Sequence, residues 1–247
     1  MISSPNYGIV IQARMSSTRL PGKVLKDIDG KPMLQRQIER LKNNLAYPVV
    51  VATSNDSSDN EIEILCKKIN TKIYRGSLNN VVSRFIDCSK EMGFSHIIRV
   101  GGDDPLIDPQ CCLELIRLNY QSNVDFIFAS NSDGWPYGCA AEMISVDALK
   151  NIMNRTNDPL YLEHTIPYIF DHPNSFKILR ASAPKEYQNK SLTLSVDYKE
   201  DFLLVETVFK RLIANNEFFS MQDIIDLFNT NPELREINKG LHSGFDR

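Results

Sequence analysis

The sequence predicts an α/β fold with a mostly parallel central sheet and a smaller mixed lobe. Apolar runs at residues 8–13, 49–54 and 95–100 have the length and composition of buried strands. Stretches with helical periodicity separate them, which is the βαβα rhythm of a parallel sheet. Each run also stops at a polar segment, so the chain's polar loops are expected at one edge of that sheet.

The first strand is read over Gly8–Ala13, ending before a segment that contains Pro21 and Gly22. Leu34, Ile38, Leu41 and Leu45 then recur at helical spacing, and Pro48 closes that helix. PVVVATS is the second strand, after which Asn55 to Asp59 offer caps for a helix bearing Ile62, Leu65 and Ile69. A short strand near Lys72 to Tyr74 leads into a helix with Val81, Phe85, Cys88 and Met92 on one face, and SHIIRV follows. Asp108 and Pro109 fit the N-cap and first position of the next helix. Strands are read at 124–129, 139–146 and 176–181, a helix over 158–172, and an apolar strand LTLSV before SVDYKED. Glu200 and Asp201 suit the first turn of a helix carrying Phe202, Val205, Phe209 and Leu212, with a helical tail beyond.

The chain's 247 residues suffice for one sizeable core. A net charge of −3 gives no reason to expect nucleic acid or an anionic membrane as partner. Met1 to Asn6 lacks the pattern of a signal peptide, and no apolar run approaches membrane length, so a cytoplasmic protein is expected. Five cysteines, at 66, 88, 111, 112 and 139, form no CxxC pair, which argues against a disulfide framework and a zinc site. The histidines at 96, 164, 172 and 242 show no metal-ligand spacing.

The chemistry concentrates after the first strand, where Arg14, Arg19 and Lys23 stand beside Ser16, Ser17 and Thr18. Three cations with hydroxyl and backbone donors suit a polyphosphate, the alternative being a solvated basic turn. Two familiar phosphate loops are excluded. A Walker A loop ending at Lys23 would need glycine at 17 and Ser or Thr at 24, where the chain has Ser17 and Val24. A dinucleotide fingerprint needs three glycines, and this loop has only Gly22.

The pattern IVIQARMSSTRLPGKVL resembles the cytidylyltransferases of the spore coat polysaccharide biosynthesis type, relatives of the acylneuraminate and 3-deoxy-manno-octulosonate cytidylyltransferases. The resemblance continues in order through VVVATS, YRGSLNNVVSRF, GGDDPLID, EHTIPYI and SVDYKEDF. It implies a three-layer, Rossmann-like nucleotide-diphospho-sugar transferase fold in a single nucleotidyltransferase domain. Residues 1–130 would be the nucleotide-binding half, 131–200 an acceptor and dimer lobe, and 201–247 a helical C-terminal segment. It also implies CTP as nucleotide, a sugar acid as acceptor, Mg²⁺ as cofactor and a homodimer, serving surface-glycan biosynthesis.

The residues carried over are Gln12, Ala13, Arg14, Ser16, Ser17, Arg19, Lys23, Arg75, Gly76, Ser77 and Gly102 for the nucleotide. Arg14, Arg19 and Lys23 among them would be catalytic. Asp103 and Asp197 would hold the metal, and Glu142, Glu163 and His164 would serve the acceptor. Arg75, Gly76 and Ser77 are placed on a turn at the sheet's ligand edge, the alternative being that Gly76 only makes the turn tight. The chain departs from the family at Asn79, Asn80 and Ser83, and at Tyr137 and Ala140, all commonly acidic there, and at Tyr198 and Lys199. Two rival readings are a nucleotide-sugar-dependent glycosyltransferase and a nucleotide-binding protein without turnover. As exposed loop charges, Arg19 and Lys23 are expected to contribute little to stability.

Overall fold

The computed structural model describes residues 6–189, 191–214 and 216–241. The leader reading over Met1 to Asn6, apart from Asn6, and His242 lie outside them. The strands are β1 (Tyr7–Gln12), β2 (Asp27–Ile28), β3 (Lys31–Pro32), β4 (Val49–Ser54), β5 (Lys72–Gly76), β6 (His96–Gly101), β7 (Phe126–Phe128), β8 (Glu142–Ser145) and β9 (Ile178–Arg180). The helices are α1 (Met33–Asn44), α2 (Asn60–Lys68), α3 (Val81–Met92), α4 (Pro109–Ser122), α5 (Val146–Arg155), α6 (Pro159–Glu163), α7 (Thr165–Asp171), α8 (Lys199–Ile213) and α9 (Met221–Thr230).

Among the described residues, one seven-stranded sheet runs β5-β4-β1-β6-β8-β7-β9, with β2 and β3 forming a separate ribbon. β1 pairs in parallel with β4 and β6, and β4 with β5, while β8 runs antiparallel to both its neighbours. Strands from both sides of residue 130 therefore share one sheet.

Period-two alternation feeds two cores. Ile9 and Ile11 on β1, with Val49 and Val51 on β4, face α1, α2, α4, α8 and α9. Val10, Val50 and Ala52 point the other way, toward α3, α5 and α7. This two-sided burial explains why the runs read as continuously apolar. All five cysteines are buried and free, and burial pushes the thiols of Cys66 and Cys88 up to about 12, which leaves them unreactive near neutrality. No helix among the described residues is long and apolar enough to cross a membrane.

Three sequence expectations are corrected. LTLSV is not a strand of the sheet: Leu192, Leu194 and Val196 are buried, but the segment hydrogen-bonds to the chain at Tyr137 and Asp103, with one isolated bridge from Tyr137 to Thr193. The helix expected over 158–172 breaks at His164, whose backbone (φ −116°, ψ 87°) leaves the helical region between α6 and α7. β5 runs on to Gly76, so Arg75 and Gly76 lie within the strand and not on the turn after it.

Buried His96 on β6 lies with its ring centre 5.4 Å from that of Tyr7, tilted at 41°, and burial lowers its pKa below the ordinary 6.5 against partial support from Asp147 and Asp125. The unfolded chain therefore takes up this proton at higher pH than the native protein. The stabilisation is present above about 6.5 and is lost as pH falls through the folded value. In urea unfolding between pH 7.5 and 5.5, His96→Phe should flatten the decline of stability; a slope equal to the parent's would exclude His96 as its source.

Candidate active site

The loop after β1 is shaped by a residue that the sequence offered only as a helix cap. Asp59 is buried and its Oδ1 accepts from the Met15 amide at 2.7 Å, while Oδ2 accepts from the Ser54 amide at 3.1 Å and from the Ser54 hydroxyl. Asp59 stands at the N-cap position of α2 but makes no side-chain cap bond there, while Asp56 caps the preceding 3-10 turn, Ser57–Asp59, by accepting from Ser58 N at 2.8 Å. The amides of Ser17 and Gly22 then close on the Met15 carbonyl at 2.9 and 3.1 Å. The chain turns into a short 3-10 helix, Lys23–Leu25, and leaves Ser16 and Thr18 exposed.

That turn points Lys23 inward. Its Nζ donates to Asp103 Oδ2 at 3.1 Å, Asp197 Oδ1 at 3.0 Å and the Val196 carbonyl at 2.6 Å. Lys23 is 7% exposed, so the expectation of a solvated loop charge is corrected. Arg19 is more open, pairing with Asp197 Oδ1 at 2.7 Å and lying 5.0 Å from the centre of the Tyr198 ring. Burial opposes the charge on both Lys23 and Asp197, but their mutual attraction outweighs it. The ammonium is held above its ordinary value and the Asp197 carboxyl below.

Asp103 and Asp197 arrive by different routes. Gly102 N donates to Gln12 O at 2.9 Å, and a Cβ at Gly102 would sit 3.0 Å from that oxygen, so glycine lets the β6 loop lie against the end of β1. Gln37 on α1 donates to the carbonyls of Gly101 and Asp104, at 2.6 and 2.9 Å, and clamps the loop from below. Asp197 is fixed through its backbone: Asp201 Oδ2 accepts from the amides of Asp197 and Tyr198 at 3.1 and 2.8 Å. Asp201 Oδ1 in turn accepts from Asn238 at 2.8 Å. Asp201 does begin α8, as expected, but it also ties the site to the far end of the chain.

The carboxyl of Asp104 is pushed well up by burial and by the charge of Asp103, against a hydrogen bond from Ser195. The phenol of Tyr137 is raised by burial and by Asp104, Asp197 and Asp103. The residue replacing a family carboxylate thus still faces the acidic cluster. Beside it, Glu142 on β8 pairs with Arg99 at 3.1 Å, and Arg99 Nε donates to Gln12 Oε1 at 3.1 Å. Burial raises the Glu142 carboxyl and Arg99 partly restrains it. Arg99 was not singled out from the sequence, although a cation inside the apolar run HIIRVG was its signal.

On the other side, Arg75 is bonded to its own fold through all three of its nitrogens. It donates to Ser54 O, Asn60, Glu63 and Asp56 O at 2.9, 2.7, 2.7 and 2.7 Å. Gly76 has no positive φ and serves close packing, not a tight turn. Ser77 Oγ accepts from Asn80 N at 3.0 Å, and Asn80 caps α3 by accepting from Ser83 N at 2.8 Å. Arg14 pairs with Glu163 at 3.1 Å, while His164 is exposed.

One sheet edge thus gathers Gln12, Ala13, Arg14, Arg19, Lys23, Gly102, Asp103, Glu142 and Asp197. No group of three or more His, Cys, Asp or Glu side chains among the described residues is arranged to enclose a metal. Asp103 and Asp197, both bonded to one ammonium, offer the hard oxygen donors that a magnesium ion combines with phosphate oxygens and water. Three cations, Arg14, Arg19 and Lys23, thus share one edge of an α/β sheet with three carboxylates, Asp103, Glu142 and Asp197.

The profile of the cytidylyltransferase family matches residues 8–231, and the chain belongs to that family. It is 30% identical over 230 residues to the spore coat polysaccharide biosynthesis protein SpsF of Bacillus subtilis (strain 168), covering 91% of this chain and 94% of that one. A solved cytidylyltransferase from Leptospira borgpetersenii superposes with a TM-score of 0.87 at 28% identity, covering 94% of this chain and 97% of that one. CMP:2-keto-3-deoxy-manno-octonic acid synthetase, solved with CTP, has the same fold at a TM-score of 0.62 and 19% identity, covering 83% and 99%.

Proposed function

We propose that the protein transfers CMP from CTP to a hydroxyl of a sugar acid and releases pyrophosphate, for surface-glycan biosynthesis. The observation that carries this reading is the convergence of Lys23 and Arg19 with Asp103 and Asp197. The acceptor oxygen bonds to the α-phosphorus, the bond from that phosphorus to the bridging oxygen breaks, and the hydroxyl proton is released. Arg14, Arg19 and Lys23 orient the triphosphate and offset its charge, while Gln12, Ala13, Ser16, Ser17, Ser77 and Gly102 frame the nucleotide. Mg²⁺ held by Asp103 and Asp197 supplies further charge neutralisation. Glu142, Glu163 and His164 face the acceptor, and Arg75 braces β4 and α2 beside the nucleotide. Residues 1–130 act as the nucleotide half and 131–200 as the acceptor lobe. The enzyme works in the cytoplasm as a homodimer.

With Mg²⁺ present, CTP should raise the melting temperature more than ATP, GTP or UTP, because only ligands of the native state shift it. Pyrophosphate should appear when CTP is supplied with a sugar acid. Equal shifts for all four nucleotides would sink the cytidine assignment.

A further inference from the structure

Arg84, on the first turn of α3, is the one guanidinium among the described residues with buried nitrogens that lack a hydrogen-bond partner. It is 1% exposed, and neither Nε nor Nη1 has a hydrogen-bond partner among the described residues. Its stem lies against the end of β5, where a Cβ on Gly76 would stand 3.0 Å from Arg84 Cγ, so glycine makes room for it. Burial lowers its pKa to about 10, with Asp59 opposing the fall and Arg14 adding to it. The nearby acids are committed elsewhere: both Asp59 oxygens hold Met15 and Ser54, and Glu163 holds Arg14. Thr165 Oγ1, buried on α7, is also without a partner. An enclosed donor without an acceptor is costly, and native proteins rarely retain one without a use.

We propose that Arg84 reads the base of the bound nucleotide, donating to adjacent acceptors on its pyrimidine edge and so selecting cytosine over uracil. The inference rests on the nucleotide reading above and supplies its specificity residue. Arg84, Arg14, Asp59 and Glu163 sum to zero formal charge, so the missing partner is a neutral group rich in acceptors and not a further anion. Cytosine presents O2 and N3 as neighbouring acceptors; uracil presents an N3–H that would face the guanidinium donor. A site built on hydrogen bonds rejects an analogue that leaves its buried donor unmet. Arg75, at the same strand end, is spent on α2 and cannot serve. The base enters by parting Arg14 from Glu163, whose side chains are 41% and 36% exposed.

The test measures equilibrium binding of CTP and UTP, each with Mg²⁺, to the parent protein, Arg84→Met and Arg84→Lys, alongside their melting temperatures. The parent should favour CTP by at least about tenfold, the scale of one hydrogen bond to a charged donor. Arg84→Met should bring the two affinities to within about threefold while its melting temperature holds or rises, since it removes a buried charge without a partner. Arg84→Lys keeps the charge and loses the planar fork; it should lose the preference too, and it decides the matter if the Met variant does not fold. A variant that melts several degrees lower yet keeps the CTP preference would overturn the role of Arg84 alone. A parent that binds neither nucleotide would overturn the nucleotide reading and this inference with it.

Discussion

Asp197→Asn is expected to lower pyrophosphate release by about 10³-fold while changing CTP affinity by less than about tenfold. This is the scale at which loss of one preorganised electrostatic contact registers in turnover. The asymmetry follows from geometry. Asp197 Oδ1 receives both Lys23 and Arg19, so the carboxylate sets where two cations stand. Asparagine keeps the shape and removes the charge that organises them. Asp103→Asn should act in the same direction, because its Oδ2 shares the Lys23 ammonium. Parallel falls in affinity and turnover would instead make Asp197 a binding residue. Asp201→Asn tests positioning: Asp201 holds the Asp197 and Tyr198 amides and Asn238, so loss of metal affinity in that variant would trace to displacement of Asp197.

Lys23→Met should destabilise the fold by about 3 kcal/mol, the range found when one partner of a buried ion pair is removed. It leaves the Val196 carbonyl without its donor and Asp103 without this cation. The same variant should bind Mn²⁺ more tightly in the absence of nucleotide, by at least about tenfold, with paramagnetic broadening as the readout. In the parent, two carboxylates face two cations and the pair carries no net charge to attract a divalent ion; removing one cation restores it. An unchanged melting temperature with unchanged Mn²⁺ affinity would show that Lys23 is not the internal counter-ion of this pair. The lysine's stabilisation is complete below pH 10.5 and is lost only as pH rises through its raised folded value, so measurements at neutral pH report all of it.

The sheet was legible in the sequence because its central strands are apolar on both faces, and the loop cations because they crowd after the first of them. Lys23 was legible as a loop cation but not as a buried one: a lysine's depth depends on carboxylates from residues 103 and 197, which no local pattern brings together. Arg75 shows the converse, since its bonds to Glu63 and Asn60, which tie the end of β5 to α2, have no local signal in the sequence. The bonds by which Asp59, Gln37 and Asp201 shape the site were not legible because each is made to backbone amides or carbonyls, where side-chain type carries no periodic signal. LTLSV misled because extended, buried backbone need not join a sheet.

The bond from Asn238 to Asp201 sets an order of events at the ribosome. Asn238 lies 37 residues after the carboxylate it secures, and its Nδ2 also holds the Thr193 carbonyl at 3.0 Å. At 5–20 residues per second, the nascent chain spends on the order of seconds with Lys23, Asp103 and Asp197 already made but Asp201 still lacking the donor on Asn238. The sheet edge that carries Lys23, Asp103 and Asp197 is therefore among the last parts of the molecule to be locked, and a chain whose synthesis stalls before Asn238 holds these side chains in an unsecured arrangement.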